Sequence, residues 1–200
     1  MQSLQGIAVS HGVAIGEAVV IDNEGFRIPK RTVMDDALDG ELARLDHAIG
    51  AVAKEIEKNR DRVSEELGEH YGAIFTAHLE MLHDKTLHNE VEALIRDQHH
   101  SAEYAVSKTL RRYAKVFRNL DDQYMSERAH DIFDLERSLL AKLLGRRREI
   151  LSKLTTPAIV LAHNLTPSET AKLDPRFVLA FATEAGGPGS HTAIVAKGLE

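Results

Sequence analysis

Apolar residues between about residue 35 and residue 144 recur at intervals of three and four, which is the period of an amphipathic α-helix. The clearest run forms an a/d heptad seam, the pattern of a long helix that packs against a neighbour. It comprises Leu38, Leu42, Leu45, Ile49, Val52 and Ile56. Neither a strand pattern nor a proline interrupts the stretch. The spacing therefore predicts an all-helical module built from antiparallel hairpins.

Four further helical runs follow this first helix. Their first apolar residues are Ala73, Leu87, Ala102 and Met125. Ser101 stands directly before the third run, where a serine hydroxyl commonly caps a helix N-terminus. The last run stops at Gly145, because glycine takes the left-handed conformation at a helix C-terminus with little strain. The segment thus predicts a long helix and four shorter ones.

Short apolar runs without helical spacing lie at both ends of the sequence. At the start, Leu4–Val9 and Val13–Ile21 are rich in Val and Ile and are separated by a turn-like Ser-His-Gly, so two strands are predicted. Near the end, Ala158–Ala162 and Phe177–Thr183 predict two more strands. Between these, Thr166 begins a Thr-Pro-Ser-Glu capping box, which predicts a short helix.

The order of strand, helix and strand after residue 154 is typical of an α/β domain. The opening strands have no helix of their own, so we expect them to join the same sheet. The predicted fold class is therefore α/β plus α, with an antiparallel helical bundle inserted into an α/β domain. The expected domains are 1–30 and 148–200 for the two α/β parts and 31–147 for the bundle.

Composition narrows the possible functions. The 200 residues carry a formal net charge of −6, which disfavours nucleic-acid binding because phosphate backbones require a basic surface. The absence of cysteine excludes disulfides and thiol chemistry. No run of about 18 apolar residues could span a membrane, and the glycine-broken N-terminus lacks the basic region of a signal peptide. We expect a cytoplasmic protein with no membrane or nucleic-acid partner.

The sequence contains eleven histidines, which raises the question of a metal site. They are scattered, and the neighbours His99 and His100 would point apart on a helix. His78 and His83 are five residues apart, whereas a separation of four suits two ligands on one helical face. We therefore predict no metal site.

The chemically distinctive segment is a glycine-rich turn near the end of the sequence. Gly186, Gly187 and Gly189 allow backbone N–H groups to approach a ligand closely. Ser190 is a candidate N-cap, which places His191 at the first position of a helix, where free N–H groups and the helix dipole favour a phosphate. Imidazole is a nucleophile around neutral pH, so His191 is a candidate phosphoryl acceptor. The turn alone is a weak indication, because nucleotide-binding loops and ordinary turns share it.

Five stretches of sequence together are far more specific. In chain order they are GIAVSHGVAIGEA, AIFTAHLEMLHD, LDDQYMSERAHDIFDL, LTPSETAKL and GGPGSHTAIVAKGLE. In this order, and over nearly the whole chain, they resemble the N-terminal domain of Enzyme I, the phosphoenolpyruvate–protein phosphotransferase family of the bacterial sugar phosphotransferase system. The last stretch is similar to the phosphohistidine signature of that family.

The resemblance implies a swivelling phosphohistidine α/β domain, with the helical bundle as a docking module. It implies that His191 takes a phosphoryl group from phosphoenolpyruvate and passes it to a histidine of the small carrier protein HPr. It also implies that Thr166 lies beside that histidine, which is compatible with an N-cap role if the hydroxyl is shared. The residues that match the docking surface of the family are Glu69, Ile74, Phe75, His78, Leu82 and Arg128.

Three departures from the family pattern are visible. Ser10-His11-Gly12 replaces the usual Ser-Pro-Gly, which reduces the rigidity of a turn but removes no chemistry. Pro188-Gly189 replaces a bulkier pair, often Arg-Thr, and this removes one possible basic contact to the phosphoryl group. The sequence also stops at Glu200, within the signature helix, so we expect it to be a monomeric piece of a longer, homodimeric enzyme. The resemblance places phosphoenolpyruvate, Mg²⁺ and the dimer interface in a C-terminal barrel, and it implies no cofactor in this piece.

Three alternatives remain open. A dikinase or synthase that shares the swivelling histidine domain would lack the inserted bundle, so the helical insertion argues against it. A nitrogen-regulatory paralogue of Enzyme I usually carries a sensory domain ahead of the matching region, and none is seen here. A helical docking module with a vestigial histidine loop is disfavoured by the intact Gly-Gly-x-x-Ser-His pattern.

Overall fold

The computed structural model describes most of the chain as helix. The described residues are 4–21, 28–120, 123–145, 154–184, 186–187, 190 and 192–193. Their α-helices are α1 (Leu38–Leu67), α2 (Glu69–Leu82), α3 (Lys85–Arg96), α4 (Ala102–Arg118), α5 (Gln123–Leu143) and α6 (Pro167–Thr170). Their strands are β1 (Glu17–Ile21), β2 (Ala158–Ala162) and β3 (Val178–Thr183), and a 3-10 turn, Asp35–Ala37, precedes α1. Among the helices of this described part, none is long and apolar enough to cross a membrane.

The chain folds into two compact units. Residues 25–58 and 75–148 form the helical unit, and residues 1–24, 59–74 and 149–200 form the α/β unit. The mixed α and α/β fold class is confirmed, and the five predicted helices of the bundle are present as α1 to α5. The domain boundaries near residues 30 and 147 stay a prediction.

The core of the helical unit is built by the predicted heptad positions. Leu42, Leu45, Val52 and Ile56 on α1 are buried, as the apolar seam requires. Side chains from α1 to α5 line a cavity of ≈ 10 Å³, which holds no more than about one water molecule. The helical unit therefore has a closely packed interior with no room for a small-molecule ligand at that point.

A buried carboxylate on α1 caps the N-terminus of α4. The backbone N–H of Ala102 donates to Glu41 Oε2 at 2.8 Å, while Arg44 and Arg31 donate to Glu41 Oε1 at 2.6 and 2.9 Å. Ser101 occupies the predicted N-cap position, but its hydroxyl makes no capping bond. Burial by itself would raise the pKa of Glu41, but the Ala102 N–H and the two guanidinium groups outweigh it and hold the pKa below its ordinary value.

The sheet of the α/β unit is parallel, with strand order β1-β2-β3. The second opening run therefore joins the later strands, as predicted, through the pairing of Glu17 with Ala158. The strand predicted for Leu4–Val9 is wrong: that segment is irregular, and the side chains of Leu4 and Ile7 are exposed. An apolar run becomes a strand only where another strand completes its hydrogen bonds, and in the described structure β1 pairs with β2 alone.

The buried side chains of β2 lie in the core of the α/β unit. Val160 and Ala162 of this central strand pack with Ile21, Leu165 and Leu173. Because all three strands are parallel, the carboxyl ends of β2 and β3 lie at one edge of the sheet, the edge at which open α/β sheets commonly bind ligands.

Replacing Glu41 with alanine is expected to lower the free energy of unfolding by about 1–3 kcal/mol at neutral pH, because the α4 N-terminus and two arginines lose their shared acceptor. A carboxyl with a lowered folded pKa contributes stability above its unfolded pKa and loses it as pH falls through the folded value. The difference between wild type and variant should therefore shrink in acid. Urea unfolding across the acid range measures this, with exposed Glu57→Ala on α1 as control. Equal effects of the two substitutions would refute the capping role.

Candidate phosphohistidine site

The glycine-rich turn that precedes His191 in the sequence is partly described. Gly186 has a φ of +119°, a conformation that strains any residue with a side chain. A Cβ at this position would also lie 3.3 Å from Ser190 Oγ, so the backbone of Gly186 lies close against the serine. His191 and Gly189 lie outside the described residues, while the predicted phosphate-loop residues Gly186, Gly187 and Ser190 lie within them.

Ser190 makes the hydrogen bond expected of an N-cap. Its Oγ accepts from the backbone N–H of Ala193 at 3.2 Å, the residue three positions later, as a capping hydroxyl does. The described residues Thr192 and Ala193 are helical. The local geometry on both sides of His191 in the sequence thus agrees with the predicted start of a helix.

A side-chain hydrogen bond joins this segment to the start of α6. The buried hydroxyl of Thr192 donates to the backbone carbonyl oxygen of Leu165. Thr192 directly follows His191 in the sequence, and Leu165 directly precedes Thr166. Each of the two predicted catalytic residues, His191 and Thr166, is therefore the sequence neighbour of one partner in this hydrogen bond.

Thr166 closes a complete capping box. Its Oγ1 accepts from the backbone N–H of Glu169 at 3.2 Å, and its own N–H donates to Glu169 Oε2 at 3.0 Å. In this role the hydroxyl of Thr166 is an acceptor, which leaves its proton able to donate to another group. The cap therefore does not use up the hydrogen-bonding capacity of the hydroxyl.

Two side chains that the sequence did not indicate meet at the carboxyl edge of the sheet. His163 directly follows β2 and Glu184 directly follows β3. Nδ1 of His163 lies 2.8 Å from Oε2 of Glu184, and both side chains are largely exposed. The sequence could have indicated this pair, because a polar residue directly follows each of two predicted strands. Only the strand order, in which β2 and β3 are adjacent and parallel, makes the two residues neighbours.

The six predicted docking residues differ in exposure. Glu69 is exposed and Ile74 is half-buried, whereas Phe75, His78 and Leu82 are buried to at least 99%. Arg128 is half-buried and its Nη1 lies 3.2 Å from Asp131 Oδ2, an ion pair within α5. The buried side chains could meet a partner only after a rearrangement, and the docking role of the set stays a prediction.

His78 lies between two buried carboxylates of α5. Its Nε2 is 3.3 Å from Asp131 Oδ1, and its Nδ1 is 3.9 Å from Asp134 Oδ2. Burial alone would lower the pKa of His78, but the two carboxylates outweigh it and raise the pKa above its ordinary value. Because the carboxylates face different ring nitrogens, the cluster suits a protonated imidazole. Within the described residues, no group of His, Asp and Glu side chains is arranged to hold a metal ion.

Family profiles match both parts of the chain. The N-terminal domain of PEP-utilising enzymes matches residues 5–128, and the mobile domain of PEP-utilising enzymes matches residues 154–200. The first match alone covers more than half of the sequence. The chain therefore belongs to the family of PEP-utilising enzymes.

Comparison with individual proteins narrows the similarity to Enzyme I. The chain is 39% identical over 199 residues to the phosphoenolpyruvate-protein phosphotransferase of Geobacillus stearothermophilus and 36% identical over 197 residues to that of Haemophilus influenzae. These alignments cover 100% and 98% of the chain but 34% of each relative, so the chain spans about a third of their length.

Solved structures agree with these sequence matches. The NMR solution structure of Enzyme I (nEIt) superposes with a TM-score of 0.78 at 36% identity, covering 98% of this chain and 79% of that one. The N-terminal domain of Enzyme 1 - Nitrogen gives a TM-score of 0.69 at 26% identity, covering 96% and 79%. The predicted resemblance to the N-terminal domain of Enzyme I is confirmed.

Replacing His78 with glutamine is expected to remove a pH-dependent part of the stability. A histidine whose folded pKa is raised stabilises the fold below its unfolded pKa, and this contribution is lost as pH rises through the folded value. The wild type should therefore exceed the variant in unfolding free energy by more in mild acid than in alkali. Urea unfolding over that range measures the difference. Exposed His83→Gln should show no such trend, and a pH-independent deficit in the His78 variant would contradict the ion-pair assignment.

Proposed function

We propose that this chain is the phosphoryl-carrying part of an Enzyme I, in which His191 accepts a phosphoryl group from phosphoenolpyruvate and passes it to a histidine of HPr. The observation that supports this most directly is the hydrogen bond from Thr192 to Leu165. The bond joins the residue that follows His191 to the residue that precedes Thr166. His191 and Thr166 are the two residues to which we assign catalytic roles. Membership of the PEP-utilising family supports the same reaction class.

The proposed reaction is a double displacement on phosphorus. In the first step, an imidazole nitrogen of His191 attacks the phosphorus of phosphoenolpyruvate, the P–O bond breaks, and the released enolate takes up a proton to become pyruvate. In the second step, a histidine nitrogen of HPr attacks the same phosphorus, the P–N bond to His191 breaks, and the first imidazole is regenerated. Each step needs stabilisation of phosphoryl oxygens rather than a redox change.

The residues around His191 in the sequence suit a dianionic phosphoryl group. Gly186 and Gly187 leave the backbone accessible, and backbone N–H groups at a helix start favour anions. Thr166 can keep its acceptor bond to Glu169 and still donate its hydroxyl proton to a phosphoryl oxygen. The proposed catalytic role and the observed N-cap role of Thr166 are therefore compatible.

The partner we propose is an HPr-like carrier that docks on the helical bundle. An acidic and apolar face would complement a carrier with a basic rim around its histidine. We further propose that a C-terminal barrel of the complete enzyme binds phosphoenolpyruvate and Mg²⁺ and forms the dimer interface. We place the reaction in the cytoplasm. The higher identity to Enzyme I than to the nitrogen-type domain, 36% against 26%, supports the sugar system.

Incubation of the chain with radiolabelled phospho-HPr tests the proposed function. We expect acid-labile, alkali-stable label on the wild type and none on a His191→Ala variant, because a P–N bond forms only if the imidazole is present. A matched substitution of an exposed histidine, His83→Ala, should leave labelling intact. Label that persists in the His191 variant, or a folded wild type that takes none, would reject the assignment.

Reversing one charge tests the docking face. The exposed Glu69→Lys variant should bind HPr several-fold more weakly at low salt, because a favourable charge contact becomes repulsive, and the difference should narrow as salt is raised. Isothermal titration calorimetry at two ionic strengths measures the affinity of each variant for HPr. Glu57→Lys, on an exposed position of α1, makes the same charge change as a control. Indistinguishable affinities of these two variants would remove Glu69 from the docking face.

A further inference from the structure

Thr192 is a buried polar residue to which the proposed reaction assigns no role. Its hydroxyl donates to the backbone carbonyl oxygen of Leu165, a residue 27 positions earlier in the chain. A threonine in a helix commonly bonds a carbonyl one turn back in the same helix. The bond of Thr192 instead joins two separate segments of the α/β unit.

The carbonyl oxygen of Leu165 is an acceptor that the core holds in place. Leu165 is buried in the apolar cluster that contains Val160 of β2. Its carbonyl precedes the N-cap residue Thr166 and therefore lies outside the hydrogen-bond ladder of α6. A buried carbonyl without a partner is unfavourable. The hydroxyl of Thr192 thus satisfies an acceptor whose position is fixed by the packing of β2 and α6.

Two further hydrogen bonds of the glycine-rich segment are local. The backbone N–H of Ser190 donates to the carbonyl oxygen of Gly187 at 3.0 Å, and Ser190 Oγ accepts from the backbone N–H of Ala193 at 3.2 Å. These bonds determine the shape of the turn and the start of the helix that follows. They do not determine where the turn lies relative to β2 and α6, whereas the bond from Thr192 to Leu165 does.

The chain that follows Leu165 is held by bonds of its own. Thr166 and Glu169 form the reciprocal capping box, and the hydroxyl of Thr170 donates to the carbonyl oxygen of Thr166 at 2.9 Å. The start of α6 is therefore a rigid support. A segment that is bonded to this support has little freedom to shift.

We propose that Thr192 is a positioning residue for phosphoryl transfer, whose hydroxyl holds the chain next to His191 against the chain next to Thr166. This inference rests on the proposed phosphoryl transfer to His191. Thr192 acts through its neighbour, because its single hydroxyl proton is donated to Leu165. Phosphoryl transfer depends on accurate placement of the nucleophile, so a bond that restricts the segment of the nucleophile favours the reaction.

Two substitutions of Thr192 separate its hydroxyl from its apolar packing. Thr192→Val removes the hydroxyl and keeps the branched shape, whereas Thr192→Ser keeps the hydroxyl and removes a methyl group. If the hydroxyl positions the segment, valine is the harmful change and serine retains the rate. If Thr192 contributes only packing, serine is the harmful change. Thr192→Ala, which also lacks the hydroxyl but fills less space, replaces the valine variant if that protein does not fold.

The matched control removes a buried hydroxyl from the helical unit. Ser107 on α4 is buried, and its hydroxyl donates to Glu136 Oε1 at 2.6 Å. Ser107 has no role in the proposed reaction or in the predicted docking face. Ser107→Ala therefore breaks a buried hydrogen bond outside the glycine-rich segment. A transfer rate that depended only on overall stability would respond to this substitution as well.

The experiment measures single-turnover transfer of label from excess radiolabelled phospho-HPr to the chain over a range of HPr concentrations. The rate at saturation reports the transfer step, and the half-saturating concentration reports docking. We expect Thr192→Val to lower the saturating rate about three- to thirtyfold without changing the half-saturating concentration. Thr192→Ser and Ser107→Ala should match wild type in both. Thermal unfolding establishes that each protein is folded at the assay temperature.

The outcomes distinguish failure of this inference from failure of the proposed function. If the wild type takes label on His191 and Thr192→Val matches its saturating rate, the positioning role is overturned and the proposed function stands. The role is also overturned if Thr192→Ser or Ser107→Ala is slowed as much as Thr192→Val, or if only the half-saturating concentration changes. If the folded wild type takes no label, both are overturned. A slow valine variant beside a normal serine variant and a normal control supports the positioning role.

Discussion

The parallel pairing of β1 with β2 is the interaction on which the rest of the structure depends. It joins residues 17–21 to residues 158–162, two segments separated in the sequence by the whole helical run. Closing so long a stretch of chain has an entropic cost that rises only slowly with length, and the intervening residues fold into helices of their own. The sheet is therefore completed by the two ends of the sequence, and the helical bundle becomes an insertion.

The same pairing assembles the proposed site from distant pieces of chain. With β2 in the centre and all strands parallel, the segments that follow β2 and β3 leave the sheet at one edge. His163 and Glu184 meet there, and the hydrogen bond from Thr192 to Leu165 fastens the His191 segment to the start of α6.

Buried charges have a comparable part in the helical unit. Glu41 accepts the free N–H at the start of α4, and His78 lies between Asp131 and Asp134. Each cluster links helices that are far apart in sequence. Removing one partner from either cluster would lower the stability of the fold, because the remaining charge would be buried without compensation. A helix pairing that separated either cluster would leave these charges without their partners, whereas leucine and isoleucine tolerate several packings.

The sequence by itself determined the features that depend on neighbours within about four residues. The 3.6-residue period predicted α1 to α5, the Thr-Pro-Ser-Glu pattern predicted the cap of α6, and Gly145 ends the last bundle helix with a φ of +62°. Only the tertiary structure decided that Leu4–Val9 is not a strand, that Glu41 rather than the Ser101 hydroxyl caps α4, and that Phe75, His78 and Leu82 are buried. It also decided that His163 meets Glu184. The physical reason is the separation in sequence between the interacting residues. Helices and their caps are formed by hydrogen bonds between residues three or four apart, whereas strand pairing, burial and charge contacts depend on partners that are distant in the sequence.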